Sequence, residues 1–376
     1  MKNIFRIITV VALVVLLSGE SAWAGNDKRR GTAGATQLLI NPWARSTGWG
    51  GANVANVRGL DAFYSNIAGL SFINKLEATY SNTMLYGGNS GLNSGGSVNA
   101  FGLAFRMFDR GVMGLSIVTS NVGEIDVTTV ESPEAINGTF SPTLMNLNVA
   151  YAHSFTTSIH GGVNIKIINE STADESASGF AVDAGIQYVT GADDELKFGI
   201  SLKNWGPAFA YGGNGATFSW VNPAGNSSTG EYPAASMELP TNLKIGISYD
   251  FLFNSANQYL TMAFTFTSNA FLKDNYALGL EYGLFDILRL RCGYVYEPDI
   301  LDDALRTTAS TGLCAGASVN VPFNKKKGDG KTSLSIDYSY RTNDNLRGTH
   351  VIGGTYRFYQ AYSHTTKLGK APQSLS

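Results

Sequence analysis

Leu243-Lys244-Ile245-Gly246-Ile247-Ser248-Tyr249-Asp250-Phe251 places a large apolar side chain at every second position, with small or charged residues in the gaps. That two-residue repeat is the signature of a β-strand whose two faces meet different surroundings. Leu334-Ser335-Ile336-Asp337-Tyr338-Ser339-Tyr340-Arg341 repeats it. From Lys75 onward the chain reads as such segments, separated by clusters of Gly, Asn, Asp, Ser and Pro.

About fourteen strands of roughly 11 residues are predicted, near 75–85, 96–107, 112–122, 143–155, 158–170, 179–189, 195–204, 239–251, 257–268, 273–283, 286–296, 310–322, 331–341 and 348–358. A strand of that length tilted by about 40° rises roughly 28 Å, the height of the apolar band of an outer-membrane barrel. If Leu76, Phe101, Ile117, Ile165, Ile186, Ile245, Leu290, Ile336 and Ile352 share one face, then Glu77, Lys166, Asp183, Lys203, Lys244, Glu281, Arg289, Arg291 and Asp337 fall on the other. A soluble sandwich alternates too, but turns its apolar face inward against a second sheet. Strand length, even strand number and an export signal together favour an all-β, transmembrane, antiparallel up-and-down barrel.

The export signal is read at residues 1–24. Lys2 and Arg6 precede an apolar run from Ile7 to Leu17, and Ala22-Trp23-Ala24 supplies small residues for cleavage after Ala24. No later apolar run reaches the roughly 20 residues of a membrane-spanning helix. The composition agrees: only 15% of residues are charged and the formal net charge is -2. A soluble domain carries about 25% charged residues, and a nucleic-acid binder shows a basic excess. Outer-membrane lipid is therefore an expected partner and nucleic acid is not. Cys292 and Cys314 fall on opposite faces by strand parity, whereas a disulfide needs Cβ atoms within about 4.5 Å; packed free cysteines fit better.

Connections alternate in length. Short turns near Asp109-Arg110, Thr156-Thr157, 190–194, 252–256, Leu284-Phe285 and 323–330 read as periplasmic, and mostly longer loops near 86–95, 123–142, 171–178, 205–238 and 297–309 as extracellular. Both termini are then expected in the periplasm. Aromatic residues near strand ends, such as Tyr188, Tyr249, Tyr296 and Tyr356, suit interfacial girdles.

Residues 25–74 do not alternate. They contain Ala44-Arg45-Ser46-Thr47-Gly48-Trp49-Gly50-Gly51-Ala52 and Asn66-Ile67-Ala68-Gly69-Leu70. The first resembles the "A-R-x-x-G-x-G-G-A" stretch, and the second the "N-P-A-G-L" box, of the PorV/PorQ group within the FadL-like outer-membrane barrels. Ile67 departs from the usual proline. Leu290-Arg291-Cys292-Gly293-Tyr294-Val295-Tyr296-Glu297-Pro298 is similar to that family's "R-A-G-Y-x-Y-E-P" strand. The resemblance implies a Gram-negative, Bacteroidota-like outer membrane and an N-terminal plug inside the lumen. Trp43, Arg45, Trp49, Gly50, Gly51, Asn66 and Gly69 are its candidate residues. A fourteen-strand barrel is too wide for its own side chains to fill, which also favours a plug; a loose periplasmic arm is the alternative. The chain accordingly divides into a signal peptide (1–24), a plug (25–74), a barrel (75–358) and a periplasmic tail (359–376).

No nucleophile, base and orienting acid stand at readable spacing, so no catalytic residue, cofactor or enzyme activity is expected. His153 and His160 flank a turn without the further ligands a zinc site needs. The loop 205–238 presents Trp205, Phe209, Tyr211, Phe218, Trp220 and Tyr232 in a nearly uncharged frame. That suits either a partner-binding surface or a lid packed on itself. The resemblance implies a component of type IX protein secretion that binds cargo C-terminal domains or translocon and attachment proteins. The alternatives are a FadL-like transporter of hydrophobic small molecules, against which the lumenal charges argue, and a passive porin.

Overall fold

The computed structural model describes residues 25–85, 96–128, 134, 136–253, 258–302, 304–323, 331–343 and 348–359. The signal peptide read at 1–24, and the tail beyond Tyr359, lie outside the described residues. Fourteen wall strands run in order: β1 Leu76–Met84, β2 Ser97–Arg106, β3 Gly111–Asn121, β4 Thr143–Ser154, β5 Ile159–Thr172, β6 Glu175–Thr190 and β7 Leu196–Trp205, then β8 Asn242–Phe253, β9 Gln258–Asn269, β10 Asn275–Leu284, β11 Leu288–Tyr296, β12 Ser310–Phe323, β13 Lys331–Asn343 and β14 Thr349–Tyr359. Each pairs antiparallel with its neighbours in sequence. β1 pairs with both β2 and β14, so the sheet closes on itself and leaves no edge. None of the described helices is long and apolar enough to cross a membrane.

The faces fall as the alternation predicts. Ile336 is 60% exposed, whereas its neighbour Asp337 is 2% exposed. Ile186, Ile165, Leu278, Leu290 and Ile245 also face out, while Asp183, Lys203, Lys166, Lys244 and Arg291 are buried. A wall that is greasy outside and ionic inside suits lipid around it and polar company within. Cys292 is exposed and Cys314 buried, and both are free.

Two boundaries differ from the sequence reading. The segment 171–178, rich in Ser, Asp and Glu, was expected to be loop. Instead the ladder continues through Glu170↔Ala177 to Thr172↔Glu175, so β5 and β6 rise beyond the band. Ala173 at φ 42 makes the turn compact. The strand expected from 239 begins at Asn242, because Pro240 has no N–H to give the ladder.

The long loops lie at the end opposite Leu76 and Tyr359, which marks that end as extracellular. The barrel thus begins and ends on the periplasmic side. Gly25 does not: its backbone N–H donates to Asp274 in the extracellular β9–β10 loop at 2.9 Å. The expectation of a periplasmic amino-terminal side does not fit the first described residue, which lies at the outer mouth. Residues 25–74 traverse the lumen from there downward to the barrel's first strand.

Candidate functional site

The lumen is filled by an irregular segment whose helical pieces are short: a helix at Ala44–Gly48 and 3-10 turns at Leu60–Phe63 and Ile67–Phe72. All seven plug residues picked out in the sequence lie here, within the wall. Trp43, Trp49, Arg45 and Asn66 are buried.

Arg45 organises the periplasmic half. Its Nε donates to Asp61 at 2.8 Å and lies 3.9 Å from Asp337 on β13, while Nη2 reaches Glu77 on β1 at 3.2 Å. Glu77 also accepts the Leu60 N–H at 2.9 Å, and Arg357 on β14 at 3.0 Å. One guanidinium therefore ties the plug to the seam where the first and last strands close. Arg58 stacks over Phe72 at 4.6 Å.

Asn66 performs the second attachment. Its Nδ2 donates to Val54 O, Ile186 O and Ile200 O at 3.0–3.3 Å, and its Oδ1 accepts the Ala68 N–H at 3.2 Å. The side chain caps the 3-10 turn and bridges it to β6 and β7. Ile67, at the usual proline position, is wholly buried in an apolar cluster with Val57, Leu60, Phe63 and Leu70. Hydrophobic packing holds that turn here in place of a fixed φ.

Close approach needs absent side chains. A Cβ on Gly69 would meet Val57 O at 2.4 Å. On the wall, a Cβ on Gly279 would lie 2.6 Å from the Trp49 ring, and one on Gly293 2.5 Å from the Trp49 backbone. Gly50 and Gly51 have φ of +62 and +82, the left-handed region that L residues resist.

The predicted lumen charges divide. Glu281 pairs with Arg291 and accepts the Tyr259 hydroxyl at 2.8 Å, and Arg291 Nη1 also donates to Ser318 at 2.6 Å. Asp337 accepts Ser335 at 2.9 Å. Lys244 lies over the Tyr64 ring at 4.6 Å. Arg289 has a buried Nε without a hydrogen-bond partner. One group escaped the sequence reading as a unit: Asp183 receives Lys166 at 3.0 Å, Lys203 at 2.8 Å and the Asn204 N–H at 2.8 Å. All three side chains had the right parity, but which inward charges meet along β5, β6 and β7 is set by the stagger of each strand against the next.

Above this group lies a cavity of about 40 Å³. The plug supplies a largely apolar side with Leu38, Ile40, Pro42, Trp43 and Phe63, and the wall a mostly polar one with Ser116, Asn146, Asn148 and Lys166. Ser116 Oγ and Asn146 Oδ1 are buried there without a protein partner, which suits bound water or a polar ligand group. Leu38 also belongs to a second apolar cluster at the extracellular mouth, with Ala35, Ile168, Ala181, Phe209 and Leu239.

The aromatic loop splits in two. Phe209 packs down into the mouth cluster, and Tyr211 donates to Glu170 beside it. Of the two readings of this loop, these two side chains take the lid's place, because the N-terminal arm 33–39 offers them apolar company. Burial and the carboxylate of Glu170 push the Tyr211 hydroxyl upward in pKa. Phe218, Trp220 and Tyr232 sit on a hairpin, Thr217–Val221 paired with Ser227–Glu231, and remain exposed. Their rings stack, with Phe218 centroids 5.3 Å from Trp220 and 4.4 Å from Tyr232. Trp205 ends β7, 62% exposed. His160 faces inward to Ser71 and Ser154, whereas His153 packs outward between Tyr151 and Phe155. Among the described residues no three His, Cys, Asp or Glu side chains gather around a metal position.

The toluene transporter TbuX of Ralstonia pickettii has a similar structure, at TM-score 0.52 and 12% identity over 85% of this chain and 98% of that one. The chain has the fold of the FadL-like outer-membrane barrels. A Pseudomonas aeruginosa FadL homologue gives 0.46 at 13% identity over 83% and 96%, and the Pseudomonas putida toluene transporter TodX 0.48 at 13% over 86% and 99%. TbuX and TodX are both toluene transporters. No protein-family model and no curated protein matches the sequence.

Proposed function

We propose that this FadL-like barrel admits small hydrophobic molecules from the extracellular side. One observation carries the reading: the packed apolar cluster at the mouth meets the apolar side of the lumenal cavity at Leu38, which belongs to both. The toluene transport named for TbuX is the chemistry such a lining would serve. The cavity accommodates a few waters rather than a hydrocarbon ring. Entry therefore requires the arm carrying Leu38 to move. The buried ion pairs below it hold the deeper plug in place, which confines that motion to the upper half.

The test is uptake of labelled toluene and of a medium-chain alkane by a deletion strain carrying either the wild-type gene or Leu38→Asp. The reading expects uptake to be restored by the wild type and reduced severalfold by the variant at equal barrel abundance. Equal uptake by the deletion strain and its wild-type complement contradicts it.

A second reading is supported by the exposed hairpin. Phe218, Trp220 and Tyr232 form an uncharged aromatic platform above the membrane, of the kind that anchors protein partners. With the PorV/PorQ resemblance of the plug boxes, this favours a component of type IX secretion that binds cargo or translocon proteins outside the cell. Crosslinking and mass spectrometry on intact outer membranes would recover such proteins with the wild type. Recovery of none, or equal recovery after Trp220→Ser with Tyr232→Ser, contradicts this second reading.

A further inference from the structure

We infer that the mature amino terminus is itself a structural group, with the α-ammonium of Gly25 forming an ion pair with Asp274 at the extracellular mouth. Two independent facts meet at this residue. In the sequence, Ala22-Trp23-Ala24 places the cleavage point immediately before Gly25. In the structure, the Gly25 nitrogen lies 2.9 Å from Asp274 Oδ2, and Asp274 is 1% exposed.

Cleavage by a signal peptidase adds water across the Ala24–Gly25 bond. Ala24 leaves with the carboxylate, and Gly25 keeps an amine that takes a proton. The neutral amide donor at Asp274 thereby becomes a cation with three N–H groups, and an ordinary hydrogen bond becomes a charge-assisted one. A buried carboxylate is the group that gains most from this change.

The surroundings are shaped for a terminus without a side chain. A Cβ on Gly25 would lie 2.7 Å from Asp274 N and 2.8 Å from both Asp274 Oδ1 and Leu272 O, so no other residue fits without a shift. Asp274 is held for the task, its Oδ1 accepting the Asn269 N–H at 3.1 Å. Beyond Gly25 the arm stays on the rim. Arg29 pairs with Glu238 at 2.6 Å and lies over Phe271 at 4.3 Å, and the Gly34 N–H reaches Glu238 O at 2.9 Å. This run of contacts fastens the arm that carries Leu38, so processing would finish the latch over the mouth. The inference holds whichever molecule the barrel passes.

The experiment uses full-length protein purified from outer membranes. Intact mass and terminal sequencing should find Gly25 first. Acylation of the terminal amine near neutral pH, read on the terminal peptide, should be about tenfold slower in the folded barrel than in the same protein unfolded in urea, because a paired ammonium is not a nucleophile. Asp274→Asn should remove most of that protection while the barrel still migrates as a folded species. Gly25→Ala should do the same and gives a second route should Asp274→Asn fail to fold. A mature chain that starts elsewhere, or equal labelling of folded and unfolded wild type, overturns the inference. So does protection that survives in folded Asp274→Asn or Gly25→Ala.

Discussion

The wall and the plug bury charge in the same space by different means. In the wall, inward charges follow from strand parity, and each sits on a continuous hydrogen-bonded ladder that holds with or without its partner. In the plug, an irregular backbone whose own hydrogen bonds mostly close local turns is tied to the wall by a handful of side chains, Arg45 and Asn66 above all. The wall is thus specified by a pattern and tolerates single errors. The plug is specified by position and should not.

Arg45→Ala should produce the largest loss. It leaves Asp61, Glu77 and Asp337 facing one another with their shared cation gone, a change that costs about 3–5 kcal/mol when a buried pair is broken. Urea unfolding in detergent, read by heat modifiability, checks the value. A loss below about 1 kcal/mol would show that the seam holds without the plug.

On the wall, Ile336→Arg places a charge on the lipid face, at about 2–4 kcal/mol near the bilayer midplane. Folding into lipid vesicles measures it. A neutral result would mean that this face does not meet hydrocarbon.

Asn66→Ala removes donors from three carbonyls at once and should cost about 1–3 kcal/mol. Limited proteolysis should then cut within 44–72 while the barrel stays intact, which separates plug loss from wall loss.

The smallest effect is one of pH. Arg29 holds the Glu238 carboxyl below its ordinary range. The folded value is depressed, so the stabilisation is present above the unfolded pKa of about 4.3 and is lost as pH falls through the folded value. The hydrogen-exchange protection of residues 28–36, taken relative to the unstructured chain at the same pH, should therefore fall on acidification while that of the strands does not.

The same contrast explains what could be read in advance. Strand number, faces and inward charges were legible because a period of two repeats over the whole wall. The split of the aromatic loop was not, since Phe209 and Phe218 have similar neighbours in sequence and differ only in what lies beneath them: the arm 33–39 under one, water around the other. Cys292 and Cys314 were separable by parity alone. The Lys166–Asp183–Lys203 group was not, because it depends on how far each strand is staggered against the next.

Those two cysteines offer the most direct test of a wall that is greasy outside and sealed by a plug within. Single-cysteine variants, Cys314→Ala and Cys292→Ala, would be placed in lipid vesicles with a fluorescent maleimide that partitions into membranes. Cys292 should label and be quenched by brominated lipid. Cys314, whose sulfur lies 3.6 Å from the Cβ position of Gly50 in the plug, should stay unlabelled. Rapid labelling of Cys314, or an unquenched label on Cys292, would contradict the account.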